Sequence, residues 1–152
     1  MRIALDAMGG DHGPSVVVPA AASVLKRQED LELVLVGLED ELRPALEANG
    51  LADHPRLSVR PASQVVASDD DVAQAMRSKR DSSLHVAAKL VKGAEVDGLV
   101  SAGNTGALMA ISRFILKTLP GIDRPAIATF LPTQTGQVLR LDLGANVDCN
   151  SD

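Results

Sequence analysis

Three stretches of this chain combine glycines with short polar residues in the way that anion-holding turns do: Asp6–Gly13 (DAMGGDHG), Ser101–Gly106 (SAGNTG) and Asp142–Asp148 (DLGANVD). In the first, the adjacent Gly9 and Gly10 let the backbone approach a ligand, and the helix start that follows offers free N–H groups to an anion. A tight turn whose carboxylates Asp6 and Asp11 cap that helix fits the same residues. In the second, small residues leave room for a bound group, while Asn104 and Thr105 add side-chain donors beside unpaired N–H groups of a first helical turn. That combination favours a small phosphate site over a merely capped helix. The third stretch, with Asp142, Asn146 and Asp148, fits a metal site, a polarised nucleophile or an ordered turn, and spacing alone does not choose.

A fourth feature is the run Arg77–Ser83 (RSKRDSS), which holds Arg77, Lys79 and Arg80 on a chain of formal net charge −5. Asp81 or Ser82 suits the N-cap of a following helix. The cations are either a solvated surface run or a local positive patch for phosphate or an acidic partner.

Other templates fail. No P-loop lysine spacing and no G-x-G-x-x-G is present, so nucleotide binding has no support. His12, His54 and His85 lack H-E-x-x-H or Cys/His spacing, which disfavours zinc. There is no G-x-S-x-G elbow for a hydrolase serine, and Cys149 has no visible base to activate it as a nucleophile.

These turns need a scaffold, and 152 residues suffice for about one domain. With Phe114 and Phe130 as the only aromatic residues, the core must be Val, Leu, Ile and Ala, and base stacking cannot be the recognition chemistry. Net acidity also disfavours nucleic acid. A single cysteine, Cys149, points to the cytoplasm. The apolar stretch Val16–Leu25, broken by Pro19 and Ser23, is too short for a bilayer, and no signal-peptide core follows Met1.

Apolar β-branched runs alternate with helical stretches, the pattern of a parallel sheet covered by helices. Strands are predicted at Arg2–Asp6, Glu32–Gly37, Leu57–Arg60, Asp97–Ser101, Ala126–Leu131 and Val138–Leu143. Helices are predicted from Pro14 to about Gln28 and at Glu39–Ala48, Ser82–Lys92 and Asn104–Leu119, with a short one inside the polar segment Pro61–Asp81. Asn49 and Gly50 read as a left-handed helix stop. With no internal repeat or long linker, the reading is one α/β domain spanning residues 1–152.

Taken together, DAMGGDH (6–12), KRDSS (79–83), SAGNTGALM (101–109), GIDRP (121–125) and DLGANVDC (142–149) closely resemble the bacterial phosphate acyltransferase family, the acyl-carrier-protein:phosphate transacylases of phospholipid synthesis. The resemblance covers the whole chain, which looks like the N-terminal half of such an enzyme. It implies a Rossmann-like three-layer α/β/α fold with a mostly parallel sheet, of the isocitrate/isopropylmalate dehydrogenase-like superfamily and incomplete here. It further implies a homodimer in the cytoplasm, with peripheral association at the inner face of the membrane. The reaction implied takes fatty acyl-carrier protein and inorganic phosphate to acyl phosphate, with no metal or cofactor. Phosphate or the oxyanion would sit at Ser101–Gly106, including Gly103, Asn104 and Thr105. Lys79 and Arg80, with Ser82 and Ser83 beside them, would face phosphate or the acidic carrier protein. His12 becomes a candidate general acid for the thiolate, and Asp6, Asp11, Asp142, Asn146 and Asp148 candidates for orienting roles around Gly9 and Gly10. Two rivals remain: phosphate acetyl- or butyryltransferase acting on a coenzyme A thioester, and a fragment serving only as a folding or dimerisation unit.

Overall fold

A computed structural model of the chain describes residues 1–123 and 125–141. It divides into two compact units, Met1–Lys117 and a second beginning at Thr118.

The first unit runs β1 (Arg2–Asp6), α1 (Pro14–Arg27), β2 (Glu32–Gly37), α2 (Glu39–Ala48), β3 (Leu57–Pro61), α3 (Val72–Ser78), α4 (Ser83–Lys92), β4 (Gly98–Val100) and α5 (Thr105–Leu116). Its four strands form one sheet of order β3-β2-β1-β4, in which every pairing is parallel. This is the order of the first four strands of a doubly wound α/β fold. Strand β2 is buried on both faces, as its unbroken Leu/Val run requires. Leu33 and Leu35 pack with Val18, Ala21 and Leu25 of α1 and with Leu42 and Leu46 of α2. The alternate residues Val34 and Val36 pack on the opposite face with Ala87 and Leu90 of α4. A third cluster, including Ala75, Leu84, Ala88, Ala107, Ile111 and Ile115, joins α3, α4 and α5 beyond the sheet.

Local chemistry explains most boundaries. Pro14 begins α1, where a missing N–H is harmless. Gly50, at φ +67°, closes α2 in the left-handed region that glycine tolerates. The Arg56 guanidinium binds the carbonyls of Leu25, Gln28, Glu29 and Leu31 and so seals the end of α1 and its link to β2. The helix predicted to reach Leu119 ends at Leu116 instead. Lys117 leaves helical geometry at φ +70°, and Leu119 precedes a proline, which disfavours the helical region for it.

In the second unit, β5 (Ala128–Pro132) and β6 (Gln137–Leu141) form a two-stranded antiparallel ribbon. Both predicted strands are thus present and pair with each other; the first is shifted to Ala128–Pro132, the second begins one residue earlier, and the predicted positions 142 and 143 lie outside the described residues. Among the described residues, no helix is long and apolar enough to cross a membrane.

Candidate functional site

The chain leaves β1 towards β2 on one side, yet β4, reached by the crossover from β3, lies on the other side of β1. At such a topological switch point the connections diverge and open a crevice at the carboxyl ends of the strands. The turns leaving β1 and β4 are the two glycine-bearing stretches DAMGGDHG and SAGNTG.

These turns touch. Ser101 Oγ donates to Asp6 Oδ2 at 2.7 Å, and the same oxygen accepts the Gly103 N–H at 3.1 Å. The other carboxylate oxygen of Asp6, a residue only 5% exposed, accepts the Met8 N–H at 3.2 Å. Gly9 fits into this contact because it lacks a side chain. A Cβ there would lie 2.8 Å from Asp6 Oδ2, 2.9 Å from the Gly103 nitrogen and 3.0 Å from Ser101 Oγ. Gly10, at φ +83°, sits against the backbone of Ala102. Asp6 therefore orients the two turns, and both of its oxygens are occupied in doing so.

Asn104 is the N-cap of α5, its Oδ1 accepting the Ala107 N–H at 2.9 Å. Its Nδ2 donates to the carbonyls of Ser68 at 3.2 Å and Asp70 at 3.1 Å, with Ala67 further off at 3.5 Å. One amide thus starts the helix and holds the loop before α3. With the side chain so engaged, the N–H groups of Thr105 and Gly106, on exposed residues, are without an acceptor among the described residues. They stand where a helix N-terminus favours negative charge.

The basic run divides. Lys79 is paired with Asp70, the residue whose carbonyl Asn104 holds. The Lys79 hydrogen bond, followed by the Ala67 N–H, keeps the Asp70 carboxyl below its ordinary pKa. Arg80 is exposed and its carbonyl accepts Lys89 Nζ at 2.9 Å. Asp81 binds the backbone and hydroxyl of Ser63, and those hydrogen bonds lower its pKa too. Ser82 caps α4, while Ser83 donates its N–H to the Gln64 carbonyl, and both are buried.

His85, which spacing alone did not single out, is buried beside Ser82, with Nδ1 3.0 Å from Ser82 Oγ. Burial foremost, then Lys89 and Arg80, pushes its pKa down and keeps the ring neutral. The signal in the sequence was its place three residues after a capping serine, within hydrogen-bond reach on a helix.

The structure therefore brings together Asp6, Gly9, Gly10, Ser101, Gly103, Asn104, Thr105 and Gly106. Lys79 joins them only through Asp70 and the loop that Asn104 braces. Asp11 and His12 are exposed, and the His12 carbonyl accepts the Ser15 hydroxyl at 2.7 Å. Asp142, Asn146, Asp148 and Cys149 lie outside the described residues.

Residues 1–152 match the family model described as "Fatty acid synthesis protein". The chain is 60% identical over its full length to a protein named phosphate acyltransferase from Halorhodospira halophila, covering 44% of that protein. Relatives of the same name from Alcanivorax borkumensis and Alkalilimnicola ehrlichii are 59% and 57% identical over 97% and 100% of this chain, again covering 44% of their own lengths. The chain spans less than half the length of the curated relatives it matches. With the family model matched from first residue to last, this chain belongs to the fatty acid synthesis protein family.

Proposed function

We propose that this chain forms the phosphate-holding part of an acyltransferase that makes acyl phosphate from fatty acyl-acyl-carrier protein and inorganic phosphate, a step that feeds phospholipid synthesis. The observation that carries this reading is the pair of N–H groups of Thr105 and Gly106 at a helix start, without an acceptor among the described residues, beside two glycine turns locked together by Asp6 and Ser101. The name shared by the relatives supports the acyl and phosphate substrates.

In this reading a phosphate oxygen attacks the thioester carbonyl, an O–C bond forms, the C–S bond breaks and the carrier leaves as thiolate. Such a transfer depends on holding the dianion in line and stabilising the developing oxyanion, which preorganised N–H groups do in a site that does not have to rearrange. Asp6, Ser101 and Asn104 position the turns. His12, exposed at the rim of the first turn, is available to protonate the thiolate. The Rossmann-like order of the sheet extends in this reading to the isocitrate/isopropylmalate dehydrogenase-like superfamily.

The test uses Thr105→Pro. Thr105 is the first residue of α5, where proline is compatible with the helix, and Asn104 already has the extended ψ of 110° that precedes a proline. The substitution removes one N–H while keeping the helix. Phosphorus NMR titration should show weaker phosphate binding, and acyl-phosphate formation from acyl-carrier protein should fall about 100-fold, the usual loss for one oxyanion donor. Unchanged affinity and turnover would reject the site. Comparing acyl-carrier protein with acyl-coenzyme A as donor separates the carrier reading from the coenzyme A one.

A further inference from the structure

We infer that the groove between α3, α4 and α5 docks an acidic, amphipathic helix of a protein partner. The groove is open, about 590 Å³ in volume, and lined by Ala73, Met76, Arg77, Arg80, His85, Lys89, Phe114 and Ile115. Three cations thus surround an apolar floor on a chain whose net charge is −5. Neither Arg77 nor Arg80 has an acidic partner among the described residues, because the neighbouring carboxylates Asp70 and Asp81 are taken by Lys79 and Ser63. Phe114 is 62% exposed at the rim, with Lys117 Nζ 4.8 Å from its ring centroid, which adds a fourth positive charge beside the apolar surface.

Cations around an apolar trough complement one ligand chemistry well: a helix with carboxylates on its flanks and an apolar residue at its centre. Inorganic phosphate fits less well, since most of the floor offers it no donor. A bilayer would meet Phe114 and the rim but would not reach the floor, where His85 is 5% exposed and Ile115 7%. Identifying the partner as the acyl-carrier protein rests on the function proposed above; the groove and its charge do not.

The test measures fluorescence anisotropy of labelled carrier protein, without its acyl chain, against the full chain over a salt series. Arg77→Glu should weaken binding about tenfold and flatten its salt dependence, and Phe114→Ala should weaken it about threefold, each with unchanged circular dichroism. Unchanged affinity in both variants would overturn the inference. So would an absence of carrier binding together with binding of anionic phosphatidylglycerol vesicles that Arg77→Glu abolishes, which would assign the groove to a membrane. Failure to form acyl phosphate from any thioester donor, with carrier binding intact and sensitive to Arg77→Glu, would instead reject the proposed function and leave the docking surface standing.

Discussion

The Ser101 hydroxyl and the Asp6 carboxylate, 95 positions apart in the chain, meet at 2.7 Å where two neighbouring parallel strands end. This bond joins two turns that are otherwise independent segments, and it does so in a nearly buried place, where a charge-assisted hydrogen bond is strong.

Ser101→Ala removes a donor from a carboxylate that is only 5% exposed. Urea unfolding should show a loss of about 1.5–3 kcal/mol, the range for hydrogen bonds to charged groups. Ser101→Thr, which keeps the hydroxyl, should recover much of it. Equal stability of the alanine variant and the parent would show that the bond does not tie the turns.

Gly9→Ala places a methyl group within 3.0 Å of three atoms, Asp6 Oδ2 of its own turn and the Gly103 nitrogen and Ser101 Oγ of the opposing turn. Two of these belong to Asp6 and Ser101, already held by each other, so the clash cannot relax without parting the turns. A stability loss of about 1–3 kcal/mol is expected, with a larger fractional loss of phosphate binding than Ser101→Ala causes. Denaturation curves and phosphorus NMR titration measure the two effects.

Asn104→Ala loses the α5 cap and the brace on the loop at residues 67–70 together, whereas Asn104→Ser can keep the cap alone. The alanine variant should be destabilised by about 1–2 kcal/mol and the serine variant by less. Both should show faster amide hydrogen exchange at residues 67–70, since neither supplies the Nδ2 donors. Unaltered exchange there in both variants would assign Asn104 a capping role only.

His85 sets a pH dependence. Its pKa in the fold lies below the ordinary 6.5, through burial first and then Lys89 and Arg80, with Arg77 as a further cation lining the same groove. Above pH 6.5 the ring is neutral both folded and unfolded, and its contribution to stability is fully present. As pH falls below 6.5, the unfolded chain takes up a proton that the fold resists, and stability is lost until pH passes the folded pKa. Thermal unfolding between about pH 7 and 5 should show this decline, and His85→Gln should flatten it. Asp70 and Asp81, held below the ordinary carboxylate value of 3.8, act in a separate window: their stabilisation is present above 3.8 and disappears in stronger acid.

Periodicity and punctuation determined the elements of the first unit. The Leu/Val run of β2, Pro14 at the start of α1 and Gly50 after α2 are local signals whose physics acts within a few residues, so they can be read without the fold. The glycine turns after β1 and β4 were also legible as strand-end turns, because small residues between an apolar run and a helix have few other uses. The antiparallel pairing of β5 with β6 was not, since two short strands around a turn read the same whichever partner they find.

What the tertiary structure alone decided is which of these local features meet. Sequence shows Asp6, Ser101, Asn104, Lys79 and Arg80 as chemistry-bearing residues, but their roles depend on partners far along the chain. Strand order places Asp6 beside Ser101; packing of α3 against α5 turns Asn104 from a free donor into a brace; Asp70 occupies Lys79, while Arg80 has no acidic partner among the described residues. The closed seal that Arg56 makes on four carbonyls, and the neutral His85 behind Ser82, have the same origin. Hydrogen bonds and electrostatics of this kind fall off within a few ångströms, and only the folded chain sets distances that short between residues so far apart in sequence.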